Sequence, residues 1–143
     1  MIATVRTNRN HGLSLLNGSV YNILIVDDEP LICWSLENSL RKAGYRASSV
    51  RSAEQAFDKL NSSKFDLVIT DMKLPQHDGF EIATASKQLF PKSVVMMITA
   101  YGDELSRRRA TESGIDYFVD KPFNLSELVV LVNEILRRKR KGE

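Results

Sequence analysis

The amino-acid sequence predicts an α/β fold in which a five-stranded parallel sheet is covered by helices on both faces. Two observations carry that expectation. Short apolar runs recur along the chain, and each is followed by a longer stretch whose apolar residues repeat at helical spacing. The strongest runs, "ILIV" (23–26) and "SVVMMIT" (93–99), are continuous rather than alternating, as expected of strands buried on both sides. Five β-then-α units in series make a parallel sheet, and right-handed crossovers limit the topologies to a few.

The elements follow in order. "YNILIV" (21–26) is the first strand. In "LICWSLENSLRKAG", Ile32, Leu36, Leu40 and Ala43 share one helical face, and Gly44 is the stop. "YRASSV" (45–50) is a weaker strand. Ser52, with Gln55 three residues on, reads as the N-cap of a helix through Leu60. "FDLVIT" (65–70) is the third strand, and Pro75 and Gly79 mark a turn in "DMKLPQHDG". "FEIATASKQLF" is helical up to Pro91. After the 93–99 strand, "DELSRRRATES" is a helix stopped by Gly114. "IDYFV" (115–119) is the fifth strand, and a last helix starts near Asn124 and enters the basic tail.

Of the 143 residues, 27% are charged and 43% hydrophobic, the balance of a soluble globular domain rather than a disordered chain. The net charge of +2 conceals an asymmetry. Between Tyr21 and Leu136, 13 Lys and Arg stand against 17 Asp and Glu, so that the body is net −4. The positive excess lies at Arg6 and Arg9 and in "RRKRK" (137–141). The expected division is an N-terminal extension over 1–20, one domain over 21–137 and a basic tail over 138–143. The lone Cys33 excludes an intramolecular disulfide and a cysteine metal cluster. No apolar run reaches membrane-spanning length, and the first twenty residues lack the apolar core of a signal peptide, so a cytoplasmic protein is expected.

Chemistry concentrates where the strands end. Asp27, Asp28 and Glu29 follow the first strand, Asp71 the third, Thr99 the fourth and Lys121 the fifth. Ligands of open parallel sheets bind beyond the carboxyl ends of the strands. If the strand order is 2-1-3-4-5, the acids of the first and third strands share one rim. Crowded carboxylates need a proton, a basic side chain or a metal to neutralise them. Oxygen ligands from Asp27, Asp28 and Asp71 suit Mg²⁺, with Mn²⁺ as its substitute. An Asp carboxylate can attack phosphorus, while Lys121 and the Thr99 hydroxyl serve the transferring oxygens.

The acidic pair after the first strand, "DMKLPQHDG", "TAYGD" and "FVDKPF" together resemble the receiver domain of bacterial two-component response regulators over about residues 21–140. The narrower wording of "DDEPLICWSL" and "TAYGD" is similar to receivers of sigma-54-dependent activators. The resemblance implies a flavodoxin-like fold with strand order 2-1-3-4-5. It implies Asp71 as phospho-acceptor and Asp27, Asp28, Asp71 and the Lys73 carbonyl as Mg²⁺ ligands. Thr99 and Lys121 take switch and phosphate-contacting roles, and Phe118 is the rotameric aromatic switch, with Tyr117 out of register. Lys73 and Tyr101 fall at positions that tune dephosphorylation. Such a domain catalyses only its own phosphorylation and dephosphorylation. Its expected partners are a sensor histidine kinase, a downstream protein at the face of the fourth helix, fifth strand and fifth helix, and a second copy on phosphorylation.

Plainer readings compete at several residues. Trp34 reads as a packing residue and His77 as a solvated turn residue. Arg107, Arg108 and Arg109 read as a solvated helix face, although three arginines there would also suit an acidic partner. The basic tail offsets a helix dipole, and without stacking aromatics or a recognition helix it argues against nucleic acid. An aspartyl-phosphate hydrolase of the haloacid-dehalogenase kind wants a second Asp two residues after its nucleophile, where Asp71 has Lys73. A receiver-like interaction module working without phosphate would be expected to lose an acid or the lysine, and all are present.

Overall fold

The structure is a computed structural model and describes residues 20–142. The expected extension over 1–20 lies, but for Val20, outside the described residues. Five parallel strands, β1 (Asn22–Val26), β2 (Arg46–Val50), β3 (Leu67–Asp71), β4 (Val94–Thr99) and β5 (Tyr117–Asp120), form one sheet in the order β2-β1-β3-β4-β5. The helices are α1 (Pro30–Lys42), α2 (Ala53–Ser62), α3 (Gly79–Leu89), α4 (Glu104–Glu112) and α5 (Leu125–Arg140).

Alternation along β1 divides the core. Ile23 and Ile25 point to one face, where Leu36 and Leu40 of α1 meet Leu128, Val132, Ile135 and Leu136 of α5. Leu24 and Val26 point to the other, against Ala53, Ala56 and Leu60 of α2 and Ile82 of α3. These four β1 side chains, Ile23 to Val26, are fully buried, which explains why "ILIV" carries no polar residue. α4 is different: Ala110 is its single buried residue, in a small cluster with Met72, Phe80 and Met97. Trp34 is 67% exposed, so it does not pack in the core as the sequence suggested.

Local signals set the helix starts. The Ser52 side chain accepts from the Gln55 N–H at 3.2 Å, as expected. Asp78 and Glu81 form a reciprocal capping box at the start of α3. Several boundaries move relative to the sequence expectation. The third strand spans Leu67–Asp71 rather than 65–70 and so takes in Asp71. The turn after β3 contains a two-residue antiparallel ribbon, Lys73–Leu74 with His77–Asp78. β5 begins at Tyr117 rather than 115, because Asp116 turns its carboxylate back to accept from the Val95 N–H at 2.8 Å. α5 continues unbroken through Arg140.

Candidate functional site

The register of β1 on β3 pairs Val26 with Thr70, so Asp27 and Asp71 leave the sheet side by side. Asp27 is 2% exposed and Asp71 9%, whereas Asp28 and Glu29 are open to solvent. One carboxylate oxygen from each of Asp27, Asp28 and Asp71 lies within 4.8 Å of the others. Lys121 reaches this group from beyond β5. Its backbone N–H donates to the Thr99 carbonyl at 2.8 Å, which fixes the chain beside β4. Its ammonium donates to Asp27 Oδ2 at 3.0 Å, Glu29 Oε1 at 2.9 Å and Asp71 Oδ2 at 3.3 Å. One lysine thus bridges three of the four crowded acids, Asp27, Glu29 and Asp71.

Burial pushes the carboxyl of Asp27 above the ordinary range, opposed by the Glu29 N–H and by Lys121. Burial does the same to Asp71, and the nearby charge of Asp27 adds to it, while Lys121 opposes both. For Lys121 itself burial disfavours the charge, but its bonds to Glu29 and Asp27 and the charge of Asp71 outweigh that, and its pKa stands above the usual lysine value. The two carboxylates therefore rely on Lys121 for their ionised form, and Lys121 relies on the surrounding carboxylates for its own.

Two further contacts shape the rim. Thr99 is fully buried, and its hydroxyl oxygen accepts from the Tyr101 N–H at 2.9 Å. The Lys73 ammonium lies 4.1 Å from the centre of the Tyr101 ring, so the two expected tuning residues touch each other above the strand ends. Phe118 is set apart, packed against the cluster of Met72, Phe80, Met97 and Ala110 on the α4 side, while Tyr117 joins the opposite core. The three arginines of α4 are exposed, as a solvated helix face has them, but two of them reach partners outside the helix. Arg107 pairs with Asp120 and Arg109 with Asp78, and only Arg108 is left with a same-helix partner, Glu104 at 3.6 Å.

Sequence reasoning underrated three residues. Glu29 is a direct partner of Lys121, a role that its place two residues after Asp27 would have suggested. Gly79 donates its N–H to the Met72 carbonyl at 2.7 Å and packs its α-carbon against the Asp71 carbonyl, where no side chain fits. The Cys33 thiol donates to the Asp27 carbonyl at 3.1 Å, and burial raises its pKa, as suits a structural rather than reactive thiol. His77, expected as a solvated turn residue, instead holds a carboxylate on each ring nitrogen: Glu54 at 2.9 Å and Glu81 at 3.3 Å.

The donor set fits a hard divalent cation: three carboxylates from two adjacent strand ends, one of them open to water. Among the described residues no helix is long and apolar enough to cross a membrane.

Comparison with known proteins gives the family and agrees with the fold. Residues 23–133 match the family described as response regulator receiver domain. The chain is 35% identical over 119 residues to the alkaline phosphatase synthesis transcriptional regulatory protein PhoP of Bacillus subtilis, covering 81% of this chain and 48% of that protein. It is 31% identical over 135 residues to the transcriptional regulatory protein TcrA of Mycobacterium tuberculosis, covering 94% of this chain and 53% of that one. The chain therefore spans about half the length of these curated relatives. They do not display the narrower kinship with receivers of sigma-54-dependent activators. A CheY-like response regulator receiver domain protein from Methanospirillum hungatei superposes with a TM-score of 0.83 at 29% identity, over 87% of this chain and 100% of that one.

Proposed function

We propose, for a chain that belongs to the response regulator receiver domain family of two-component systems, that Asp71 accepts a phosphoryl group from a sensor histidine kinase. The observation that carries this reading is the Lys121 ammonium bridging Asp27, Glu29 and Asp71 at the strand ends. A carboxylate oxygen of Asp71 attacks phosphorus. The P–N bond to the donor imidazole breaks, and its electron pair returns to the ring nitrogen. The product is an aspartyl phosphate. No general base is required, because Asp71 reacts as the anion that Lys121 helps maintain. Lys121 then exchanges its bond to Asp71 for one to a phosphoryl oxygen, a change of partner within reach of its present position.

Asp27, Asp28 and Asp71, with the Lys73 carbonyl, would hold Mg²⁺, which when bound offsets negative charge on the transferring oxygens. The hydroxyl of Thr99 turns from the Tyr101 N–H to the phosphoryl group. This releases the segment that leads into α4, and Phe118 turns inward. Phosphorylation biases two pre-existing states and creates no new fold. Lys73 and Tyr101 sit over the rim and slow the attack of water on the phosphoryl group.

The output belongs to the same proposal. A downstream protein or a second copy of the chain docks on the face of α4, β5 and α5, and the protein works in the cytoplasm. The narrower likeness to receivers of sigma-54-dependent activators rests on "DDEPLICWSL" and "TAYGD" and bears only on which output is served. Retention of every acid and of Lys121 speaks against a module that acts without phosphate.

The test is intact mass after incubation with acetyl phosphate and Mg²⁺. One added phosphoryl group is expected, absent with Asp71→Asn and with EDTA. A folded protein that takes no phosphoryl group, or takes it equally as Asp71→Asn, overturns the reading.

A further inference from the structure

We propose that Glu29 is a positioning residue for phosphoryl transfer: it keeps the Lys121 ammonium at the rim while Asp27 and Asp71 are otherwise engaged. The inference rests on the phospho-acceptor reading above and gives a task to an acid that this reading leaves without one.

The Lys121 ammonium has three N–H donors and meets three carboxylates, Asp27 Oδ2 at 3.0 Å, Glu29 Oε1 at 2.9 Å and Asp71 Oδ2 at 3.3 Å. Two of these partners have other duties. Asp71 is the acceptor, and both it and Asp27 belong to the set that would hold Mg²⁺. Carboxylate oxygens given to a cation or to phosphorus are lost to the ammonium. Glu29 is the partner with no second duty in that scheme. The three also pull in different directions. Asp27 and Asp71 are buried and draw the ammonium into the strand ends. The Glu29 side chain is 58% exposed and draws it toward solvent, the side from which a phosphoryl donor arrives. A half-open ion pair of this kind adds little to stability. What it sets is the place of a cation, and in transfer chemistry a misplacement of about 1 Å costs up to ~10²-fold.

The local structure of α1 shows that this side chain is not spent on its own helix. Glu29 is the N-cap, with extended backbone at φ −88° and ψ 114°, and its carbonyl accepts from the Cys33 N–H at 3.2 Å. N-caps favour short polar side chains that reach the free N–H groups of the first turn. The other helices follow that rule, with Ser52, Asp78, Asp103 and Asn124 each accepting from such an N–H. α1 is the exception, since Glu29 makes no side-chain cap bond and reaches instead a lysine 92 residues on. Its backbone serves the same end. The Glu29 N–H donates to Asp27 Oδ1 at 2.9 Å, which leaves Oδ2 of that carboxylate for Lys121.

The test compares the full chain as wild type, Glu29→Gln and Glu29→Ser. Labelling with acetic anhydride, read at Lys121 by peptide mass, reports how firmly the ammonium is held and needs no phosphoryl transfer. In EDTA, Asp27 and Asp71 hold Lys121 in all three proteins, and labelling should be similarly slow. With Mg²⁺, Lys121 should be labelled severalfold faster in both variants than in wild type. Maximal phosphoryl uptake from acetyl phosphate at saturating Mg²⁺ should fall roughly tenfold in both. Glu29→Ser supplies the missing cap, so a role confined to the helix would be rescued by it. Equal labelling of wild type and Glu29→Gln with Mg²⁺ overturns the inference, as does recovery of wild-type behaviour by Glu29→Ser. Faster uptake by Glu29→Gln also overturns it, because Glu29 would then be a competitor for the lysine. A wild type that takes up no phosphoryl group overturns the underlying reading and this inference with it, whereas normal uptake with unchanged labelling overturns the inference alone.

Discussion

The Arg107 guanidinium lies 4.7 Å from the centre of the Phe118 ring and at the same time donates to Asp120 Oδ2 at 2.5 Å. Two residues on, Arg109 repeats the arrangement, 4.1 Å from the centre of the Phe80 ring and 3.2 Å from Asp78 Oδ2. These contacts matter because α4 buries only Ala110. Where the other helices are held by apolar faces, α4 is held by cations resting on aromatic rings. Such contacts are each worth about 0.5–1 kcal/mol at exposed sites, and surface ion pairs about as much or less. Arg107 is half-exposed, so its pair with Asp120 belongs at the low end.

Arg107→Ala should therefore loosen α4 and free Phe118 without unfolding the sheet. Amide hydrogen exchange across 104–112 should speed up roughly tenfold, the equivalent of ~1.4 kcal/mol of local opening. Arg108→Ala, which loses only a same-helix partner, should change it little. Equal exchange in wild type and Arg107→Ala would mean that α4 is held by something other than this contact.

Gly79→Ala should be costly for a reason of space. A β-carbon at 79 would collide with the Asp71 carbonyl oxygen and approach Met97 Cε within 2.9 Å. The first obstacle is backbone in a central strand and cannot swing aside. Overpacking of this kind costs roughly 1–3 kcal/mol. Urea denaturation should report a loss in that range, and uptake of phosphoryl from acetyl phosphate should fall because Asp71 is displaced. An alanine variant as stable as wild type would show that β3 yields more readily than its burial suggests.

How much of this was legible beforehand varied with the distance between partners along the chain. β1 and β4 could be read directly, because strands covered on both faces need unbroken apolar runs. Asp27, Asp71, Thr99 and Lys121 could be read because each ends a strand or immediately follows one, and the sheet order brings them to one rim. The ribbon of 73–74 with 77–78 is too short to leave a periodic pattern. The partners of Arg107 and Arg109 were illegible for another reason. A helical repeat shows that arginines share a face, but not that Asp120 and Asp78 wait opposite them, 13 and 31 residues away. The fully paired His77 was hidden likewise, since Glu54 lies 23 residues before it.

That histidine predicts a pH dependence. His77 meets Glu81 of α3 through one ring nitrogen and Glu54 of α2 through the other, with the Phe57 ring edge-on at 5.9 Å. The Glu81 bond, chiefly, raises its pKa, slight burial opposes this, and Glu54 raises it further. A pKa raised on folding stabilises the folded state fully below the ordinary histidine value of about 6.5. That contribution is lost as pH rises through the folded value. Wild type should therefore exceed His77→Gln in denaturant midpoint at pH 5.5, and the gap should narrow by pH 9. A gap that stays constant or widens would show that the imidazolium is not the form that joins α2 to α3.

The contact of Lys73 with Tyr101 bears on the lifetime of the phosphorylated state. Lys73 stands two residues after Asp71 and Tyr101 two after Thr99, and the ammonium lies 4.1 Å from the ring centre. Tyr101 is 59% exposed, so the pair is a loose cover rather than a packed wall. Water attacking an aspartyl phosphate at Asp71 would have to pass it. Tyr101→Ala should shorten the phosphoryl lifetime severalfold, and Lys73→Ala should do the same. If the two act as one cover, the double variant should be little faster than either single one, a non-additivity expected of residues in contact. The measurement is the decay of the phosphorylated mass after excess acetyl phosphate is removed. Additive effects would mean that the residues hinder water separately. Unchanged lifetimes in both single variants would mean that the contact does not control access to Asp71 at all.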